Sequence, residues 1–252
     1  MEHFDREQFR FFLKDRIRTM IDFSQTDQHQ GIAPPPIQKP YHPDARIITL
    51  PQLSEWQAIR SVDLLHAIAH RRSRRTYHEQ ALTLEELAFL LWATQGIQQT
   101  AGHGTAFRTV PSAGCRHALE TYLCIMHVSG VEQGIYRYLP VEHALLEVSV
   151  DKTVSHRIVN ATYHQSFTGT AAAAFVWAAV PYRMEWRYGL AAHKVIALDA
   201  GHVCQNLYLA CAAIGCGCCA VAAYDQERMD ELIQVDGKDE FTVYLASVGK
   251  VD

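Results

Sequence analysis

Residues 200 to 214 carry apolar side chains on nearly every side of a helix, with Val203, Leu207, Leu209, Ala210 and Ala213 spread round its circumference. Such a helix has no face to give to water and needs cover on all sides, from a core or from a second subunit. Asp199 is expected to cap its start and Gly215 to stop it. The 252-residue chain is long enough to build one large domain or two small ones around it.

The remaining elements follow from local patterns. Residues 5 to 23 set Phe9, Phe12, Leu13, Ile17 and Met20 at helical spacing among charges, which predicts an amphipathic amino-terminal helix. Residues 31 to 43, with APPP and YHP, break regular structure and predict an extended arm that crosses the surface and is available to embrace a neighbour. Val62, Leu65, Ile68 and Ala69 share one helical face. Thr83-Leu84-Glu85-Glu86 is a capping box opening a helix to about Thr94. Residues 99 to 108, containing AGHGT, read as a mobile loop. Strands are expected over 119–128, over 134–138 and 144–150 as a hairpin around Pro140, over the apolar run 171–180, and over 220–224 and 241–248. Helices are expected over 153–161 and 226–233. No composition break follows Leu50, so residues 1–50 read as an extension and 51–252 as one domain.

Arg71 to Tyr77, RRSRRTY, puts four arginines and a serine into seven residues at the end of a helical pattern. Two readings are open. The arginines can be a solvated helix terminus, where cations complement the negative end of the helix dipole. They can also hold a phosphomonoester, because guanidinium forks and a hydroxyl match its oxygens. Further on, Pro111-Ser112-Ala113-Gly114 is a turn of small side chains that lets backbone approach a ligand closely.

Composition removes several classes. The net charge of -4 excludes a general nucleic-acid binder, which needs a basic surplus, so any anion site is local. The most apolar run is too short to span a membrane, and the charged start MEHFDREQFRFF is no signal peptide. Seven cysteines, four of them between Cys211 and Cys219, make no disulfide framework. Reduced thiols and a cytoplasmic location are expected. Gly215-Cys216-Gly217-Cys218-Cys219-Ala220 matches a loose dinucleotide pattern but follows a helix and precedes a strand, the reverse of what that fingerprint needs. His193, His202 and the cysteines lack a standard zinc spacing, and neither a serine-hydrolase elbow nor a Walker loop occurs.

Taken in order, RRSRRTY, LTLEELAFLLWATQG, RTVPSAG, GIYRY, ALDAGHVCQNLYLACAAIG and YLASVGK resemble the nitroreductase superfamily, and within it the SagB-type dehydrogenase branch, whose members oxidise azolines to azoles in peptide maturation. The resemblance implies an α+β fold, a mixed but mainly antiparallel central sheet flanked by helices, and a homodimer holding FMN at the subunit interface. It places flavin contacts on Arg71, Arg72, Ser73 and Arg75, on Pro111, Ser112, Ala113 and Gly114 from the partner subunit, and on Gly249 and Lys250. It also implies a redox enzyme acting on a small or peptidic substrate, with NAD(P)H as a donor.

Two departures stand out. Ala222 and Ala223 occupy the place of an acidic residue and glycine, and Arg187-Tyr188 stands where azoline oxidases carry Lys-Tyr. An arginine cannot act as a base, which leaves Tyr188 as the proton-transfer group beside Arg187. The alternatives implied are a broad nitro or quinone reductase, and an idle flavin-binding partner that docks through its Pro-rich arm.

Overall fold

The computed structural model describes residues 5–101 and 104–252. Its centre is a seven-stranded sheet in the order β1-β6-β5-β4-β7-β9-β8. The strands are β1 (Ile47–Thr49), β4 (Leu119–Ile125), β5 (Gly134–Leu139), β6 (Ala144–Val150), β7 (Ala173–Ala179), β8 (Cys216–Val221) and β9 (Phe241–Lys250), and β2 (Ile97–Ala101) and β3 (Thr105–Arg108) form a separate hairpin. Every neighbouring pair in the large sheet is antiparallel. The parallel component of the expected mixed sheet is limited to the isolated bridges Ser73 to Cys218 and Leu82 to Val128.

The middle strand shows why three layers form. In β7, Ala173, Phe175, Trp177 and Ala179 belong to one buried cluster and Ala174, Val176 and Ala178 to another, as the two-residue period of a strand requires. The first face is covered by α3 (Leu84–Gln95) and α7 (Ala192–Ala212), the second by α4 (Val154–Ala161) and α8 (Gln226–Ile233). Four further helices are α1 (Arg6–Leu13), α2 (Leu64–His70), the single turn α5 (Phe167–Thr170) and α6 (Tyr182–Tyr188). Among the described residues, no helix is long and apolar enough to cross a membrane, and all seven cysteines are free.

Several local expectations change. The amino-terminal helix is shorter than its apolar spacing predicts: α1 stops where Lys14 turns extended, and tighter 3-10 turns carry on from Asp15 to Met20. The stretch 99–108 is hairpin rather than loop, because Ala106 and Arg108 alternate into the protein while Phe107 points out; Gly102 and His103 of AGHGT lie outside the described residues. The largest correction concerns Asp199, which is no cap. α7 starts seven residues earlier, and Asp199 lies inside it, buried. The strand expected at 220–224 is β8, which begins at Cys216 and takes Cys216, Cys218 and Cys219 into the sheet.

The arm is tied across the subunit by its main chain. The Trp186 indole donates to the Ile32 carbonyl at 2.9 Å, Arg108 to the Ile37 carbonyl at 2.6 Å, and Arg137 to the carbonyls of Lys39 and Pro40 at 3.0 and 3.2 Å.

Candidate functional site

The arginine run leaves α2 as an extended segment. It lies against the edge of β8, with the Arg74 amide donating to the Cys218 carbonyl at 2.9 Å and Ser73 in parallel bridging to Cys218. Two tyrosines fasten it. The Tyr77 hydroxyl donates to the Arg74 carbonyl at 2.7 Å and lies 2.8 Å from the Ser247 hydroxyl of β9, and burial pushes that phenol up. From α7, the Tyr208 hydroxyl sits 2.9 Å from Ser73 Oγ and accepts from the Ala220 amide at 2.8 Å, while the Arg71 guanidinium stands over the Tyr208 ring at 5.2 Å. Arg71, Arg72 and Arg74 line one cavity with His66, His70 and the bare backbone of Gly215 and Gly217. Arg75 points elsewhere, 5.7 Å above the Phe167 ring.

Among the described residues, none of Arg71, Arg72, Arg74 and Arg75 has a carboxylate within ion-pair distance. Three neighbouring cations, Arg71, Arg72 and Arg74, none of them ion-paired and all held on a braced backbone next to a hydroxyl, fit a phosphate-bearing group, while Arg75 stands apart from them. Of the other two residues that the resemblance puts at the cofactor, Lys250 is engaged with Glu86 and donates to the Ile214 carbonyl at 2.8 Å, and Gly249 leaves room for Tyr77, whose ring carbons come within 2.8 Å of where a Cβ would stand.

The PSAG turn is built differently. Ser112 Oγ accepts from the His117 amide at 2.9 Å, and the buried Asp199 carboxylate accepts from the Ala113 amide at 3.3 Å. Burial raises the Asp199 carboxyl, against the bonds from Ser112 and Ala113 that favour its charge. Gly114 takes φ 57°, and a Cβ there would lie 2.6 Å from the Tyr188 hydroxyl and 2.8 Å from Arg187 Cδ and Nε. The turn thus meets the Arg187-Tyr188 pair, which lies 73 residues further along the chain.

Only glycine suits this place, on grounds both of φ and of space. Gly114→Ala is expected to displace Tyr188 and Arg187 and to weaken stability by about 1–3 kcal/mol. A variant with unchanged melting and unchanged solvent exposure of Tyr188 would refute the packing described.

Sequence reasoning missed Arg116, Tyr208 and the clamping role of Asp199. Arg116 also holds the turn, donating to the Gly114 carbonyl at 3.3 Å, to Thr105 Oγ1 at 2.9 Å and to the Gly104 carbonyl, with its guanidinium 5.1 Å over the Trp186 ring. His117 beside it is neutral, because burial and then Arg108 and Arg116 depress it to about 3.

A three-layer α+β fold thus carries an arginine and serine cradle at one sheet edge and a tight glycine turn packed on a tyrosine. The nitroreductase family profile matches residues 68–250, and the chain belongs to that family. A nitroreductase-like protein of Methanocaldococcus jannaschii is 32% identical over 207 residues, which is 82% of this chain and 98% of that one. Among solved structures, a nitroreductase-like protein of Ralstonia eutropha is 26% identical with TM-score 0.68, covering 87% of this chain and 94% of its own. The E. coli microcin synthetase McbBCD complex, solved with truncated pro-MccB17 bound, shares the fold at 16% identity with TM-score 0.61, covering 100% of this chain and 99% of its own. Flavin binding and NAD(P)H use are typical of the family.

Proposed function

We propose that this protein is an FMN-dependent oxidoreductase of SagB type, acting as a homodimer and passing two electrons between flavin and a small or peptidic substrate. The contact of Gly114 with Tyr188 and Arg187 carries the reading, since it joins two motifs that the resemblance assigns to one redox site. FMN supplies hydride acceptance and return. Arg71, Arg72 and Ser73 would bind its phosphate; Arg75, which the resemblance also puts at the flavin, lies over the Phe167 ring and apart from that cavity. The Pro111-Ser112-Ala113-Gly114 turn offers close backbone, and Gly249 keeps Tyr77 seated behind the arginine run. Lys250, paired with Glu86, braces that wall from the end of β9.

A dimer accounts for the spacing. Asp199, which holds the PSAG turn, and Tyr208, which holds Ser73, are nine residues apart on α7, a rise of about 13 Å, so the two walls of one subunit stand apart. The partner's turn would complete each cradle. The exposed side of α7, with Leu198, Gly201 and Ala212, and the exposed Leu64, Leu65 and Ile68 of α2 supply apolar area for the contact. Leu207 faces the subunit's own core instead. The division into an extension, 1–50, and a unit, 51–252, is crossed by β1, which pairs with β6 in the central sheet, and the free thiols suit a cytoplasmic setting.

A second reading, an NAD(P)H-dependent nitro or quinone reductase, is favoured by Arg187. Proton removal from an azoline needs a base, and arginine stays charged at working pH, so only Tyr188 remains. Azoline turnover is therefore expected to be weak, with reduction by a nicotinamide donor retained. The deciding experiment is the absorption spectrum and extracted cofactor of the purified protein, with sedimentation for its size, followed by turnover of azoline peptide and of NADH. A colourless monomer that refuses added FMN would overturn the proposal.

A further inference from the structure

Arg116 and Arg187 both reach Gly114: Arg116 Nε donates to the Gly114 carbonyl at 3.3 Å, and Arg187 Nε lies 2.8 Å from where a Gly114 Cβ would stand. Among the described residues, neither guanidinium has a carboxylate partner, and Arg187 makes no hydrogen bond. Arg187 is half-buried with its guanidinium 5.5 Å from the Tyr188 ring centre, and Arg116 is 7% exposed. The buried acid that holds the turn, Asp199, gives its carboxylate to the Ala113 amide. Two like charges partly withdrawn from water beside one glycine repel each other; Arg116 keeps Nη1, and Arg187 its whole guanidinium, without an acceptor among the described residues.

We propose that Arg116 and Arg187 form an anion-binding fork beside the Tyr188 hydroxyl, which selects ligands that present a carboxylate or a phosphate to the redox site. That this is a substrate or donor subsite rests on the function proposed above. The fork also gives Arg187 a role that a lysine base would not fill: a planar guanidinium grips a carboxylate through two parallel hydrogen bonds. The anion has two sources, a carboxylate on the substrate or a phosphate on the nicotinamide donor.

Isothermal titration of the purified protein, as it is isolated, with benzoate, benzamide and inorganic phosphate separates these. Benzoate should bind at least tenfold more tightly than the isosteric, uncharged benzamide, because hydrogen bonds to a charged group contribute about 1.5–3 kcal/mol. Arg187→Gln should remove that preference, and Arg187→Lys should restore part of it. Inorganic phosphate also has the Arg71 to Arg74 cradle available, so only the part of its binding lost in Arg187→Gln belongs to the fork. A loss larger for phosphate than for benzoate assigns the fork to the donor, and the reverse assigns it to the substrate. Equal binding of benzoate and benzamide, or the same benzoate affinity in Arg187→Gln with unchanged melting, overturns the proposal. Calorimetry needs no flavin, so a failed cofactor reading and a failed fork give different results.

Discussion

Arg183→Ala is expected to lower the stability of the protein by about 3–5 kcal/mol, measured by urea unfolding, because it leaves the Glu120 carboxylate buried without its charge partner. Glu120 is 3% and Arg183 is 3% exposed, and the guanidinium also donates to the His117 carbonyl at 3.4 Å. The sign of the pH dependence follows. Burial pushes the Glu120 carboxyl up, but Arg183 and then Arg137 outweigh it, and the group sits below its ordinary 4.5. Its contribution to native stability is thus complete above pH 4.5 and is lost as pH falls through the lower folded value. In the variant the main opposing charge is gone and burial counts for more, so the gap between native and variant should narrow as the medium is acidified towards pH 4. A loss under about 1 kcal/mol at pH 7, or a gap that widens in acid, would contradict this account.

Flavin affinity should fall by two to four orders of magnitude in the double variant Arg72→Ala, Ser73→Ala. Each side chain contributes a hydrogen bond to a charged phosphate worth about 1.5–3 kcal/mol, and a factor of ten costs about 1.4 kcal/mol. Both side chains are exposed and neither is in an ion pair, so the fold should survive the change. Fluorescence titration of the apoprotein with FMN is the measurement. Affinity within threefold of the native value would remove the arginine run from the cofactor site.

What the sequence made legible is mostly what is local. The Thr83 capping box is fulfilled to the atom, with the Glu86 amide donating to Thr83 Oγ1 and the Thr83 amide to Glu86 Oε2. The hairpin round Pro140 and the helix α8 depend on neighbours in sequence and are found where the pattern puts them. Asp199 misled because an aspartate before an apolar helical run is a good cap, and the residue that accounts for it, Ala113, is 86 positions away. Arg116 escaped for a related reason: a lone arginine carries no signal until Gly114, Trp186 and Arg187 gather round it. The arginine run was legible as chemistry, whereas its bracing by Ser247, through Tyr77, and by Tyr208 comes from strand β9 and helix α7.

The way the arm is held changes what it means to shorten this chain. Residues 34 to 36, 40 and 43 are prolines with no amide donor to give, so the backbone of the arm is held largely at its carbonyls, Lys39 adding its amide to Glu120 at 3.0 Å. Arg108 and Arg137 do the gripping from within the fold. Arg108 is so thoroughly enclosed that burial, with Arg183, brings it down to about 10. A fragment beginning at residue 51 would therefore do more than lose a tail. It would strip Arg108 and Arg137, whose Nε atoms already lack a partner, of the arm carbonyls they hold, and would take away β1, the strand that closes the sheet at β6. Gln38 and Tyr41 add side-chain ties to Glu142, and Lys39 to Glu240; elsewhere on its outward face the arm can accept new residues, tags or docking motifs at little expense to the core.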